Sequence, residues 1–209
     1  MTIQPYSQPV PFHSQWGEDR WLADHRIVPA AGWFVDVGAG DGTTGSNTLY
    51  FEGIGWHGVC IDPDPRNAAG LARRTCGIET VAISAEAGLQ VFSMYRPKPS
   101  WSGLGRRGAG YDVVTMTCTP LETLLAGYAI DLIDLLSIDV EGNELDVWQS
   151  FDPDRHLPSI VIIEYDDKLH ERSTAAIHQQ LGREAYGLVH RTPANLIFQN
   201  RHRPWQRRS

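Results

Sequence analysis

The sequence predicts a single α/β domain, a three-layer sandwich around a mostly parallel seven-stranded sheet. Three observations carry that expectation. From Trp33 onward, short β-rich runs alternate with helical stretches. Several of the runs, notably 132–138 and 160–164, are almost continuously apolar, as strands covered on both faces must be. The length of 209 residues is enough to bury one large core without staples.

Strands are expected at 33–37, 57–61, 79–83, 132–138, 160–164, 187–190 and 195–199, and helices at 46–52, 65–74, 120–126, 143–151 and 173–186. This βαβα order implies right-handed crossovers. Ahead of it, 1–30 reads as a helical or extended N-terminal segment. Two further strand-like stretches, 88–95 and 111–118, break the rhythm. The Pro-, Gly-, Ser- and Arg-rich residues between them, 96–110, read as the mobile loop of an inserted β excursion. Residues 191–194 are short enough to join the last two strands in a hairpin. An antiparallel hairpin closing an otherwise parallel sheet is the Rossmann-like arrangement of class I methyltransferases.

A net charge of −7 argues against general nucleic-acid binding, which needs a basic footprint. The exception is the 200–209 tail, with Arg201, Arg203, Arg207 and Arg208, which reads as a solvated, frayed terminus. No apolar run approaches the ~20 residues of a membrane span. The opening residues are polar and carry prolines, unlike a secretion signal. Cys60, Cys76 and Cys118 stand far apart in the sequence without a paired motif, which favours buried thiols in a reducing compartment. Together these point to a cytoplasmic protein, and a homo-oligomer is compatible with them.

The strongest local signal is Asp36-Val37-Gly38-Ala39-Gly40-Asp41-Gly42, an apolar strand ending in an acid and then turning through glycines. Such glycines let a backbone approach a ligand closely. Downstream, Ser46 or Asn47 could cap a helix whose first N–H groups suit a carboxylate. A dinucleotide fingerprint would need glycine where Thr43 stands, which disfavours a nicotinamide-dependent oxidoreductase. S-adenosylmethionine fits better, because Asp36 is placed to hold its ammonium. Gly38, Ala39, Gly40 and Asn47 complete that end. Asp62, closing the next strand, is placed to accept from ribose hydroxyls, and Ile83 and Ser84 to lie beside the adenine.

Ligands of open α/β sheets gather at the carboxyl ends of strands. Asp139 and Glu164 end the fourth and fifth strands and are the candidate catalytic pair. Carboxylates gathered there can act as a general base or hold a hard cation such as Mg²⁺. Either would help an alcohol attack an activated methyl group. Glu141 and Glu144 suit a helix N-terminus by dipole alone, Asp166 and Asp167 a solvated loop, and His170 is a weaker candidate base.

Read together, these segments resemble the FkbM family of methyltransferases. The matching residues are Ser14-Gln15-Trp16-Gly17-Glu18-Asp19, the Asp36–Gly42 turn, Ser46-Asn47-Thr48, Ile61-Asp62-Pro63, Leu121-Glu122-Thr123-Leu124-Leu125 and Ile138-Asp139-Val140-Glu141-Gly142-Asn143-Glu144. The resemblance implies S-adenosylmethionine as donor and O-methylation of a sugar, glycan or natural-product hydroxyl. It also implies that Ser14, Gln15, Glu18 and Asp19 lie near the active site, with Gln15 on the cofactor. Family members often carry lysine in place of Ser137 and glutamate in place of Asp62. Within the 96–110 loop, Trp101 could stack on a sugar and Arg106 or Arg107 could meet an acidic group of the acceptor. A non-catalytic binding protein with the same fold is the remaining alternative, disfavoured by the retention of Asp139 and Glu164.

Overall fold

Alternating apolar residues send their side chains to opposite sides of each strand. In the computed structural model, which describes residues 9–207, those sides become two separate cores. Residues 1–8 of the leader and 208–209 of the tail, including Arg208, lie outside the described residues.

The chain begins with α1 (Glu18–His25), β1 (Trp33–Val37), α2 (Leu49–Gly53) and β2 (His57–Ile61). A 3-10 turn at Pro65–Asn67 leads into α3 (Ala68–Leu71), then β3 (Gly77–Glu79) and β4 (Ala82–Ile83). Next come β5 (Gly88–Tyr95), β6 (Gly103–Leu104), β7 (Tyr111–Thr119) and α4 (Leu121–Gly127). The second half supplies β8 (Leu135–Ile138), α5 (Glu144–Gln149), α6 (Pro153–His156), β9 (Ile160–Glu164), α7 (Thr174–Leu181), β10 (Tyr186–Arg191) and β11 (Asn195–Asn200).

The main sheet has seven strands in the order β10-β11-β9-β8-β1-β2-β3. Its pairings are parallel except at β11, which runs antiparallel to both β9 and β10. The hairpin's second strand thus lies inside its first, between β10 and β9. The parity of the strands sorts the cores. Val35, Val37, Val161 and Ile163 pack with α4, α5 and α7 on one side, while Phe34, Ile160 and Ile162 pack with Leu22, Phe51 and Leu71 on the other. Among the described residues, no helix is long and apolar enough to cross a membrane.

Two expectations are corrected. The strand foreseen at 79–83 is two strands. β3 ends at Glu79 in the main sheet, and β4 crosses to a second sheet of order β4-β7-β5-β6 that contains the excursion. The tail is packed, not frayed, as far as Arg207. Trp205 is buried against Phe51 and Trp56, and Arg203 donates to the carbonyls of Ile133 (2.6 Å) and Leu157 (3.0 Å) and to Asp134 (2.6 Å). Cys60 and Cys76 are neighbours in space, with their sulfurs 3.6 Å apart across the β2–β3 edge.

Helix bounds are also tighter than foreseen. α2 starts at Leu49, and α7 ends at Leu181, capped by Gly182, whose φ of 84° suits a residue without a Cβ.

Candidate active site

The parallel strands β1, β2, β8 and β9 all end on one side of the sheet, and the expected functional residues collect there. At the end of β1 the glycines serve unlike purposes. A Cβ on Gly38 would stand 1.7 Å from the carbonyl oxygen of Asp139, so this glycine is where the turn after β1 meets the turn after β8. A Cβ on Gly42 would meet the stem of Arg74 at 3.0 Å. A Cβ on Gly40 would have nothing within 4 Å. Of these three positions, Gly40 alone borders open space, while the other two make room for protein.

Asp36 is buried and accepts from the Thr48 hydroxyl at 2.6 Å. Burial raises its pKa, opposed by Thr48, Arg74 and Ser137. Asn47 donates to the Ser137 hydroxyl at 3.1 Å, and its own carbonyl oxygen is buried without a hydrogen-bond partner. The helix cap foreseen at Ser46 or Asn47 is corrected: the N-cap position is Thr48, and Ser46, two residues before it, accepts through its hydroxyl from the amides of Thr48 (3.3 Å) and Leu49 (3.1 Å). Those N–H groups are thus already partnered within the protein.

Asp62 is held by three donors at 2.9 Å each: the amides of Gly40 and Asp64 and the Asn67 side chain. Burial outweighs those bonds and pushes its pKa up to about 6. Beside it lies a cleft open to solvent. Its walls include Gly38, Asp62, Ile83, Phe92, Leu104 and Asp139. Ile83 therefore lies where expected. Ser84 is not part of the lining, and its hydroxyl accepts from Gln90 at 2.9 Å. The excursion also has an unforeseen place, since Phe92 and Leu104 wall the same cleft as Asp62.

The N-terminal segment runs across these strand ends. Ser14 bridges to Gly45, and the buried Glu18 accepts from Thr192 (3.0 Å) and Asn195 (2.8 Å) at the β10–β11 turn. Asp19 is equally buried and accepts from the amide of His13 and the hydroxyl of Ser14. Gln15 is exposed, with its Cβ against Gly45. Glu18 and Asp19 thus fix this segment in place.

At the ends of β8 and β9, Asp139 and Glu164 come together as expected, joined by Glu141. One oxygen of each lies within 4.8 Å of the others, a spacing that could hold a cation. Desolvation raises all three pKa values first; neighbouring carboxylates add to it, Glu141 at Asp139, Asp139 and Glu141 at Glu164, and Glu144 at all three, while Arg172 opposes them. Arg172 enters the cluster from the loop after β9, paired with Glu164 and, at 3.1 Å, with the buried Glu144. Glu144 also accepts from the Gly142 amide at 2.7 Å. Arg107 reaches in from the excursion to the carbonyl of Glu141, a residue with φ 59°.

Glu141 and Arg172 were missed by sequence reasoning. The two-residue spacing of Asp139 and Glu141 was a usable signal, whereas nothing local marks Arg172. His170 is exposed on a 3-10 turn, and Asp166 and Asp167 brace the loop by accepting from Lys168 and Thr174 amides. Trp101 is exposed and stacks on Tyr95.

The strand order and the clustering of acids at one end of the sheet define a class I methyltransferase fold. A solved structure of a fibrillarin/Nop5p complex shares that fold with a TM-score of 0.50 at 12% identity, over 95% of this chain and 86% of the other. The methyltransferase FkbM domain matches residues 36–187, and the chain belongs to that family. No curated protein matches the sequence.

Proposed function

We propose that the protein is an S-adenosylmethionine-dependent O-methyltransferase acting on a hydroxyl of a sugar, glycan or natural-product small molecule. The observation that carries this reading is that Asp139 borders both the cleft beside Asp62 and the carboxylate cluster. A base thus stands next to the cleft that Asp62 also lines. The residues fit the donor. The unpartnered Asn47 oxygen and the Asp36 carboxylate suit its ammonium, Gly40 leaves room for it, and Asp62 suits the ribose diol.

The bound donor supplies a methyl group already activated by its sulfonium. The chain's task is then to position the acceptor in line and remove its proton. Asp139 and Glu164, crowded by like charge, have raised proton affinity and are suited to take that proton. A second reading, favoured by the 4.8 Å grouping, is that Asp139, Glu141 and Glu164 hold Mg²⁺ or a similar ion, which would acidify the hydroxyl. Cytoplasmic residence belongs to the same proposal, on the strength of the buried thiols Cys60 and Cys118.

Mass spectrometry of a glycan and small-molecule panel incubated with methyl-labelled S-adenosylmethionine tests the proposal. The expected product is an O-methyl ether whose formation is lost in Asp139→Asn while donor affinity is unchanged. Transfer to nitrogen or carbon, or full activity of that variant, would overturn it. Loss of activity in EDTA with recovery on Mg²⁺ addition selects the ion-assisted reading. A fluorescence shift on adding NADH would instead revive a nicotinamide enzyme.

A further inference from the structure

Arg74 lies outside every segment that sequence reasoning assigned to the site, yet the turn after β1 is built around it. Its side chain is 1% exposed and donates to acceptors from several parts of that turn. These are the Gly42 carbonyl at 2.8 Å, the Ser46 hydroxyl at 3.3 Å, the Thr48 hydroxyl at 3.1 Å and Glu52 at 2.6 Å. Gly42 lacks a side chain where the Arg74 stem passes. The planar guanidinium serves several acceptors at once, which a lysine ammonium cannot do in the same geometry.

Two consequences follow for Asp36. A hydroxyl has one proton to give, and the Arg74 N–H aimed at the Thr48 oxygen makes that oxygen an acceptor on one side. The Thr48 proton is thereby directed at the Asp36 carboxylate, 2.6 Å away. The charges also leave a remainder. Arg74 is paired with Glu52, whose carboxylate is further held by the amide and hydroxyl of Thr75 at 2.6 Å each. Among the described residues Asp36 makes no ion pair, and it shares the Ser137 hydroxyl with Asn47, whose own oxygen is unpartnered. One net negative charge and one free acceptor are what an ammonium group needs.

We propose that Arg74 is a positioning residue for the amino-acid end of the donor. It fixes the Thr48 hydroxyl that orients Asp36, and so sets how tightly that end is held. The proposal rests on the S-adenosylmethionine reading above.

The test measures, by calorimetry, the binding of two probes to the full chain. S-adenosylhomocysteine carries the amino-acid end, and 5′-methylthioadenosine, measured by competition, lacks it. Arg74→Lys and the near-isosteric Thr48→Val should each weaken S-adenosylhomocysteine about tenfold to a hundredfold, the scale of a bond to a charged group. Both should hold 5′-methylthioadenosine within about twofold of the unaltered protein. Equal weakening of both probes would make Arg74 a packing residue and overturn the proposal, as would unchanged S-adenosylhomocysteine affinity in Thr48→Val. If the unaltered protein binds neither probe, the donor reading fails and takes the proposal with it.

Discussion

The two ends of the site treat their acids differently. Asp62 accepts from three fixed donors and Asp36 from the Thr48 hydroxyl, so each acid at the glycine turn has partners supplied by the fold. At the ends of β8 and β9, Asp139, Glu141 and Glu164 face one another, and Arg172 is the cation that pairs with Glu164. The first arrangement is held by fixed donors, with one charge and the Asn47 oxygen left over for a ligand. The second is electrostatically unfinished, and a proton, a cation or an acceptor group would relieve it. On the proposed function, this contrast would let the fold fix the donor side in advance and leave the chemical side responsive.

The harshest way to break this contrast is Gly38→Ala, since Gly38 is where the two ends touch. The new methyl would lie 1.7 Å from the Asp139 carbonyl, at a φ of 84°. Overpacking and left-handed strain together should cost about 3–5 kcal/mol, read from denaturant midpoints. A near-native midpoint would mean that the two turns are not rigidly joined.

Asp36→Asn comes next. Removing the charge should weaken S-adenosylhomocysteine about a hundredfold in calorimetry. The fold should be kept, because burial already penalises the charged form of Asp36.

A smaller effect is expected from pH. Asp62 has its pKa raised to about 6 by burial, so its proton is bound more tightly in the folded chain than in the unfolded one. Its ionisation therefore removes stability as pH rises from the ordinary carboxylate range toward 6. On the proposed function, ribose hydroxyls would donate to the ionised form. Donor affinity should thus be level above about pH 7 and fall below pH 6, by at most about tenfold per unit. Asp62→Asn should bind more weakly with this dependence flattened, and an unchanged profile in that variant would assign the titration elsewhere.

The smallest effect has the opposite sign. In EDTA, Asp139→Asn should raise the thermal midpoint, by about 1 kcal/mol of stability, because it relieves like-charge crowding. A lowered midpoint would mean that the cluster is already neutralised in the folded chain.

The main sheet was legible because burial on both faces leaves apolar runs, as in Ile160–Glu164, that few other structures produce. Asp36, Asp62, Asp139 and Glu164 were legible because each ends such a run. The purpose of the glycines was not, since what Gly38 and Gly42 make room for comes from Asp139 and Arg74, distant in sequence. Arg74 and Arg172 were illegible for the same reason, as their partners are met only through space. The β3–β4 break escaped notice because 79–83 has a strand's composition throughout, and composition does not say which sheet a strand joins.

The burial of Trp205 carries a consequence for how the molecule is made. Trp205 and β11 follow every other strand in the chain, yet Ile197 and Trp205 belong to the core that also contains Phe34 from β1. During synthesis that side of the sheet stays open until residue 205 has left the ribosome, and β11 must then enter between two strands made before it. Folding of this half is therefore completed only after β11 and Trp205 have been made, and until then the nascent chain exposes an apolar surface on which a chaperone could act.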